Sequence, residues 1–159
     1  MDPAAFRPME EGDLEAVVAL ERALFSDPWP RDLFRRDLRE SDTSRTLVAT
    51  DEEGLLAYGV AWFVDEELHI ANMAVRKNRW GRGVGGALLD RMLADAAERG
   101  CRLATLEVRV GNGRAIDLYR DRGFREVAIR KGYYVDNGED ALVMIREVDA
   151  RPGVSGGLV

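Results

Sequence analysis

A predicted strand is followed directly by a basic glycine-rich loop and a long amphipathic helix, a succession that limits the folds open to this chain. The segment ELHIANMAV is typical of a β-strand, and the loop ends in GRGVGG at residues 81–86. Beyond the loop, apolar residues recur at helical spacing, at Val84, Leu88, Met92 and Ala96. Gly100 then follows as a C-terminal stop. The sequence therefore predicts a strand, loop and helix unit of an α/β protein.

The loop and the start of this helix form a predicted anion site. A helix N-terminus exposes backbone N–H groups and the positive end of its dipole, and glycines let a phosphate approach the backbone. Four basic residues precede the helix, at Arg76, Lys77, Arg79 and Arg82, whereas the whole chain has a formal net charge of −6. We expect Arg79 or Arg82 to supply charge to a bound anion. The alternative is a solvated basic loop whose glycines serve a tight turn.

GRGVGG also matches the G-x-G-x-x-G spacing of a dinucleotide-binding loop. In that fold the first glycine follows the strand almost at once, whereas RKNRW separates Val75 from Gly81. Glu107, the acidic residue at the expected distance, lies inside the predicted strand TLEVR rather than at its carboxyl end. Two consecutive predicted strands follow it, not repeated βαβ units. The pattern therefore disfavours NAD or FAD as the ligand.

The rest of the chain predicts further helices and strands around this unit. Helices are indicated at residues 13–25, after Pro30 and at 112–123, and strands at 45–50, 55–64, 67–75, 102–108, 124–130 and 141–148. We expect the first three strands to form an antiparallel meander. Residues 1–148 are expected to form a single domain, and residues 149–159 a flexible tail.

Composition and charge exclude several classes of protein. The acidic balance disfavours non-specific binding to nucleic acid or anionic lipid. No stretch has the eighteen or so apolar residues of a membrane span, and the N-terminus lacks a targeting pattern, so we expect a cytoplasmic protein. The single cysteine, Cys101, cannot form an internal disulfide. His69 has no partners at metal-ligand spacing; we expect it to be structural, and we expect no metal.

The segment NMAVRKNRWGRGVGGALLDRMLADAAERG resembles the acetyl-CoA-binding segment of the GNAT N-acetyltransferases, whose signature is [Q/R]-x-x-G-x-[G/A]. The signature covers Trp80 to Gly85, with Trp80 in the position of Gln or Arg. The resemblance implies the GNAT fold, an α/β (α+β) architecture with a mixed, mostly antiparallel sheet of about six to seven strands flanked by about four helices. It also implies contacts with acetyl-CoA at Met73, Ala74, Val75, Gly81, Arg82, Gly83, Val84, Gly85 and Gly86. We expect Trp80 to pack against the loop or shield the cofactor.

The segment LEVRVGNGRAIDLYRDRGFREVAIRKGYYVDNGEDALVM is similar to the RimI-type N-terminal acetyltransferases. The similarity implies that Glu107 is the general base, that Tyr119 is the general acid that protonates the CoA thiolate, and that Asn112 contacts CoA. From the residues alone, the favoured explanation of Glu107 is an ion pair with Arg109 or a cross-strand partner, and Tyr119 is explained by core packing; the resemblance reverses this order for Glu107. Asn112 also stands where a helix N-cap is expected.

The same resemblance extends to the acceptor. FSDPWP looks like the family's substrate loop, and Trp29, Tyr133 and Tyr134 are implied to surround the N-terminus of an incoming protein or peptide. The known target of this family is the N-terminal alanine of a small-subunit ribosomal protein, reached by direct acetyl transfer in a ternary complex. Two alternatives stay open: a GNAT enzyme for lysine or a small-molecule amine, and a CoA-binding module without catalysis.

Overall fold

A computed structural model describes residues 1–39 and 42–149. Within these ranges the helices are α1 (Leu14–Leu24), α2 (Arg31–Arg39), α3 (Val84–Glu98) and α4 (Gly113–Asp121). The strands are β1 (Arg7–Pro8), β2 (Ser44–Asp51), β3 (Gly54–Val64), β4 (Glu67–Val75), β5 (Leu103–Arg109), β6 (Arg125–Arg130) and β7 (Ala141–Glu147). Of the predicted tail, residues 150–159 lie outside the described residues.

The seven strands form a mixed sheet in the order β1-β2-β3-β4-β5-β7-β6. Strands β4 and β5 pair in parallel, whereas β1 with β2, β2 with β3, β5 with β7 and β6 with β7 pair antiparallel. The predicted fold class is therefore confirmed. Strand β1 is not predicted by the sequence, because the two residues Arg7 and Pro8 are too few to show an alternating pattern.

The chain divides into two compact units. The first comprises Met1–Phe63 and Ala71–Met92, and the second comprises Val64–Ile70 and the described chain from Leu93 onward. The core of the first unit joins α1 and α2 to the sheet through Met9, Leu14, Val17, Val18, Phe34, Val48, Tyr58, Val60 and Ala74. In the second unit the buried side chains include Leu106, Phe124 and Met144. No helix in the described part of the chain has the length and apolar character that a membrane crossing requires.

In the first unit, α3 approaches the sheet closely because β3 contains a glycine. A Cβ atom at Gly59 would lie 3.0 Å from Leu88 Cδ2 and 3.2 Å from Met92 Sδ. Leu88 and Met92 belong to the apolar stripe that predicted this helix, and both are buried. The close packing fixes α3, and with it the helix start that follows the glycine loop.

Candidate functional site

The glycine loop, residues 81–83, connects a short 3-10 turn, Lys77–Arg79, to the first residue of α3. Gly81 and Gly83 have φ angles of 78° and 80°, in the left-handed region that favours glycine. All three loop residues are exposed, and the amide of Ala87 donates the first helical hydrogen bond, to the Gly83 carbonyl at 3.1 Å. The first turn of α3 contains no acidic residue. The loop thus presents open backbone at the positive end of a helix dipole.

Two of the four basic residues before α3 are held by the turn between β2 and β3. Arg76 contacts Asp51 at 2.5 Å, and Arg79 contacts Asp51 at 3.2 Å and both Glu52 and Glu53 at 3.0 Å. The hydrogen bond from Arg76 is the main cause that holds the pKa of the Asp51 carboxyl well below its usual value. The expectation that Arg79 supplies charge to a bound anion is not supported, because its guanidinium binds these carboxylates.

The ion pairs have two consequences for the loop. They tie the segment before the helix to the turn between β2 and β3, so that the helix start is fixed before any ligand binds. They also leave Arg82, which is exposed and makes no ion pair within the described ranges, as the basic side chain of the glycine loop itself.

The carboxylates of Asp51, Glu52 and Glu53 lie within 4.8 Å of one another, a spacing that suits a metal ion, but Arg76 and Arg79 bind them.

The Trp80 side chain lies beside the glycine loop and is hydrogen-bonded to the end of β4. Its indole N–H donates a hydrogen bond of 2.7 Å to the carbonyl of Val75, the last residue of β4, and the Lys77 ammonium lies 5.8 Å from the ring centroid. The side chain is 43% exposed, so the ring lies on the surface beside the loop. The carbonyl of Val75, a residue that the resemblance places in contact with acetyl-CoA, therefore already accepts a hydrogen bond from Trp80.

The other predicted cofactor contacts differ in accessibility. Met73 and Val75 on β4 are half-buried, whereas Ala74 between them is buried in the core of the first unit. In the first turn of α3, Gly85 is half-buried and Gly86 is buried. Their roles as cofactor contacts stay predictions.

A cluster around Glu107 forms in the second unit, where β4 and β5 run in parallel and His69 pairs with Thr105. His69 Nδ1 and Thr105 Oγ1 share a hydrogen bond of 3.0 Å, and His69 Nε2 lies 3.7 Å from Glu107 Oε1. The Tyr133 hydroxyl donates to the same Oε1 atom at 3.3 Å. The Glu107 side chain is 16% exposed. It is therefore largely enclosed yet reachable, which is what a proton acceptor requires.

Arg109, the residue expected to neutralise Glu107 in the structural alternative, binds elsewhere. Its guanidinium lies 2.9 Å from Asp136 and 3.4 Å from Glu139, and it stacks on the Tyr134 ring at 3.9 Å from the centroid. These contacts draw Arg109 toward the loop between β6 and β7. Glu107 instead has a histidine and a tyrosine hydroxyl as neighbours.

Tyr119 lies on α4 with 8% of its surface exposed, and its ring packs edge-on against Phe124. Burial, followed by the nearby Tyr134, raises the pKa of Tyr119 to about 12, above its ordinary value of 10.0. The phenol therefore keeps its proton at neutral pH. Asn112 caps α4 by accepting a hydrogen bond of 3.3 Å from the amide of Ala115, which confirms the predicted N-cap.

Trp29 and Tyr134 are the remaining residues that the sequence predicts at the acceptor site. Trp29 lies in the first unit, where its ring stacks on Trp62 and packs against Phe34. Tyr134, in the second unit, packs edge-on against Tyr133 at a centroid distance of 5.1 Å.

The sequence does not predict His69 as a neighbour of Glu107, because only the register between β4 and β5 brings the two together.

Comparison with known proteins identifies the family of the chain. The model of the acetyltransferase (GNAT) family matches residues 14–124, more than half of the chain. The chain belongs to the GNAT family. As a GNAT protein it is an acyltransferase, and the predicted family is confirmed.

Two relatives of this GNAT protein are named as N-acetyltransferases. The [ribosomal protein bS18]-alanine N-acetyltransferase of Escherichia coli (strain K12) is 33% identical over 138 residues, which cover 86% of this chain and 92% of the relative. The N-alpha-acetyltransferase RimI of Mycobacterium tuberculosis is 34% identical over 155 residues, which cover 92% of this chain and 94% of the relative. The crystal structure of the ribosomal-protein-S18-alanine N-acetyltransferase from Escherichia coli superposes with a TM-score of 0.83 at 29% identity, over 93% of this chain and 96% of that one.

The Trp80 hydrogen bond gives the first prediction. Trp80→Phe keeps an aromatic ring beside the loop but removes the indole N–H, so the Val75 carbonyl loses its partner. We expect the free energy of unfolding, measured in urea, to fall by about 0.5–1.5 kcal/mol. Lys77→Ala, which removes the cation above the ring and keeps the bond, is the control and should change stability by less than about 0.5 kcal/mol. Equal stability of Trp80→Phe and the wild type would contradict this role.

Proposed function

We propose that this GNAT enzyme transfers acetyl from acetyl-CoA to the N-terminal α-amine of a protein, by direct attack in a ternary complex. The observation that carries the proposal is the setting of Glu107. Its Oε1 atom lies beside the Tyr133 hydroxyl and His69 Nε2, while Arg109 is bound by Asp136 and Glu139. A carboxylate with no cation bound permanently to it is available to accept a proton.

Acetyl-CoA fits the glycine loop of the first unit. Its pyrophosphate is an anion, and the loop offers exposed backbone at Gly81 and Gly83, a helix start without an acidic residue in its first turn, and the exposed Arg82. The positive φ of both glycines forms this turn without strain and with no Cβ above the backbone. Backbone donors and one arginine therefore replace the Gln or Arg side chain whose position Trp80 occupies.

The second unit supplies the groups for the proton transfers. The acceptor nitrogen attacks the thioester carbonyl carbon, a C–N bond forms and the C–S bond breaks. Glu107 takes the proton that the amine loses, directly or through a water molecule. Tyr119, whose pKa of about 12 keeps it protonated, donates a hydrogen bond and a proton to the departing sulfur. The raised pKa makes Tyr119 a weaker acid than an ordinary phenol, so it acts on the sulfur only as negative charge develops there.

The proposed acceptor is a peptide N-terminus that begins with alanine, as in a ribosomal protein. The named activities of the Escherichia coli and Mycobacterium tuberculosis relatives support this class. An α-amino group has a pKa near 7.7–8.0, whereas a lysine side chain has a pKa near 10.4. About a tenth of the α-amine is therefore neutral at pH 7, and modest help from Glu107 suffices.

The first test of this function uses two peptides in a CoA-release assay with mass analysis. One has a free N-terminal alanine; the other has the same sequence with a blocked N-terminus and an internal lysine. We expect the first peptide to gain one acetyl group and the second to stay unmodified. Acetylation of the blocked peptide alone would replace the proposal with a lysine acetyltransferase. CoA binding with no transfer to either peptide would favour a module without catalysis.

The second test separates the two catalytic roles from cofactor binding. Glu107→Gln and Tyr119→Phe should each lower kcat by about 10²–10⁴-fold, the usual contribution of general acid–base catalysis. Affinity for CoA should be nearly unchanged in both. Glu126→Gln is the matched control, because Glu126 is a carboxylate on β6 that pairs with Arg120. Turnover at the wild-type level in both site variants would refute the assigned roles.

The pH dependence gives a third test. The kcat/KM for the alanine peptide should rise as the acceptor amine loses its proton, through about pH 7.7–8.0. It should then stay level past pH 10.0, the ordinary pKa of a tyrosine, because Tyr119 has a pKa of about 12 and remains protonated. Initial rates over this range check the expectation. A decline that begins below pH 10 in the wild type and is absent from Tyr119→Phe would contradict it.

A further inference from the structure

A carboxylate that the proposed chemistry does not use lies in the core of the first unit. Glu21, on α1, is 1% exposed, and the polar groups that contact its carboxylate in the described part of the chain belong to the same unit. Burying a charged side chain costs free energy unless hydrogen bonds satisfy it. The buried Glu21 carboxylate therefore depends on the groups that donate hydrogen bonds to it.

Three donors satisfy the Glu21 carboxylate. Its Oε1 atom accepts from the Tyr58 hydroxyl and, at 2.8 Å, from Asn72 Nδ2. Its Oε2 atom accepts from the backbone N–H of Trp29 at 2.9 Å. Burial, and next the charge of Glu21, raise the pKa of Tyr58 above its usual value, so this hydroxyl keeps the proton that it donates. One oxygen thus faces the core, and the other faces the loop between α1 and α2.

The hydrogen bond from the Trp29 backbone N–H holds this part of the loop between α1 and α2 to Glu21. Trp29 stands between Pro28 and Pro30, neither of which has a backbone N–H. Among residues 28–30, the Trp29 amide is therefore the single backbone donor available for a tether. Its bond to Glu21 fixes the backbone from which the indole projects.

The Trp29 ring has a defined place that depends on this backbone. It stacks on Trp62 at a centroid distance of 5.7 Å with 18° between the ring planes, and it lies 5.3 Å from Phe34. The side chain is half-buried, so part of the ring remains accessible. A shift of the Trp29 backbone would move this accessible part.

We propose that Glu21 is a positioning residue that sets acceptor selectivity, because it holds Trp29 in place at the surface that meets the first residue of the acceptor peptide. The inference rests on the proposed function. Gln in place of Glu21 has one acceptor oxygen instead of two. It cannot accept from the Trp29 amide on one side and from Tyr58 and Asn72 on the other unless one of these groups turns.

The test compares Glu21→Gln with Tyr58→Phe. Both variants disturb the buried cluster, but Tyr58→Phe keeps the bond between Glu21 and Trp29. For Glu21→Gln we expect the KM for an alanine peptide to rise about tenfold, the effect of losing one hydrogen bond to a charged group. We also expect a reduced preference for alanine over methionine as first residue, with the KM for acetyl-CoA unchanged. Tyr58→Phe should lower the Tm and leave both peptide KM and preference as in the wild type.

Equal peptide KM and preference in Glu21→Gln and the wild type would overturn the proposal, and so would the same change in Tyr58→Phe. A second measurement needs neither a variant nor an active enzyme. In the wild-type protein, the Trp29 amide should exchange with deuterium much more slowly than the exposed amide of Asp27. Equal exchange of the two amides would show that the tether does not hold. If the tether holds and no peptide is acetylated, the proposed function fails and not the role of Glu21 in the loop.

Discussion

The start of α3 depends on the ion pairs that fasten the segment before it. The chain leaves β4 at Val75 and enters α3 at Val84, and between them Arg76 and Arg79 are bound to Asp51 and its neighbours. Because the arginines are used in this way, the proposed anion site consists of backbone N–H groups, the helix dipole and Arg82. Backbone donors of this kind are already in place in the fold. GRGVGG thus matches the dinucleotide spacing because its glycines form this turn. The surrounding strands and helices follow the GNAT arrangement.

The parallel pairing of β4 with β5 has a comparable role in the second unit. It places His69 next to Thr105, and the two-residue repeat of β5 then brings Glu107 to the same face. Arg109, next on that face, is drawn to Asp136 and Glu139. In the described part of the chain, the Glu107 carboxylate therefore has a histidine and a tyrosine hydroxyl as neighbours and no lysine or arginine ion pair. This arrangement distinguishes a candidate base from an ordinary structural ion pair.

The predictable part of the fold is the part that local patterns specify. The apolar stripe of α3, the alternation in β5, the strand-forming composition of the other five predicted strands and the cap at Asn112 depend on residues a few positions apart, and the structure confirms these elements. The rest depends on distant pairings. Arg79 meets the acidic turn 26 to 28 residues away, and Glu21 meets Asn72 51 residues away. No spacing in the sequence shows such contacts, because strand order and register decide them.

If the start of α3 binds the pyrophosphate of CoA, acetyl-CoA stabilises the folded protein and NAD does not. Thermal unfolding at matched concentrations of acetyl-CoA and NAD distinguishes the two ligands. A ligand that binds only the folded state at a hundred times its Kd adds about 2.7 kcal/mol to stability. We expect acetyl-CoA to raise the Tm and NAD to leave it unchanged. A rise with NAD and none with acetyl-CoA would contradict the account.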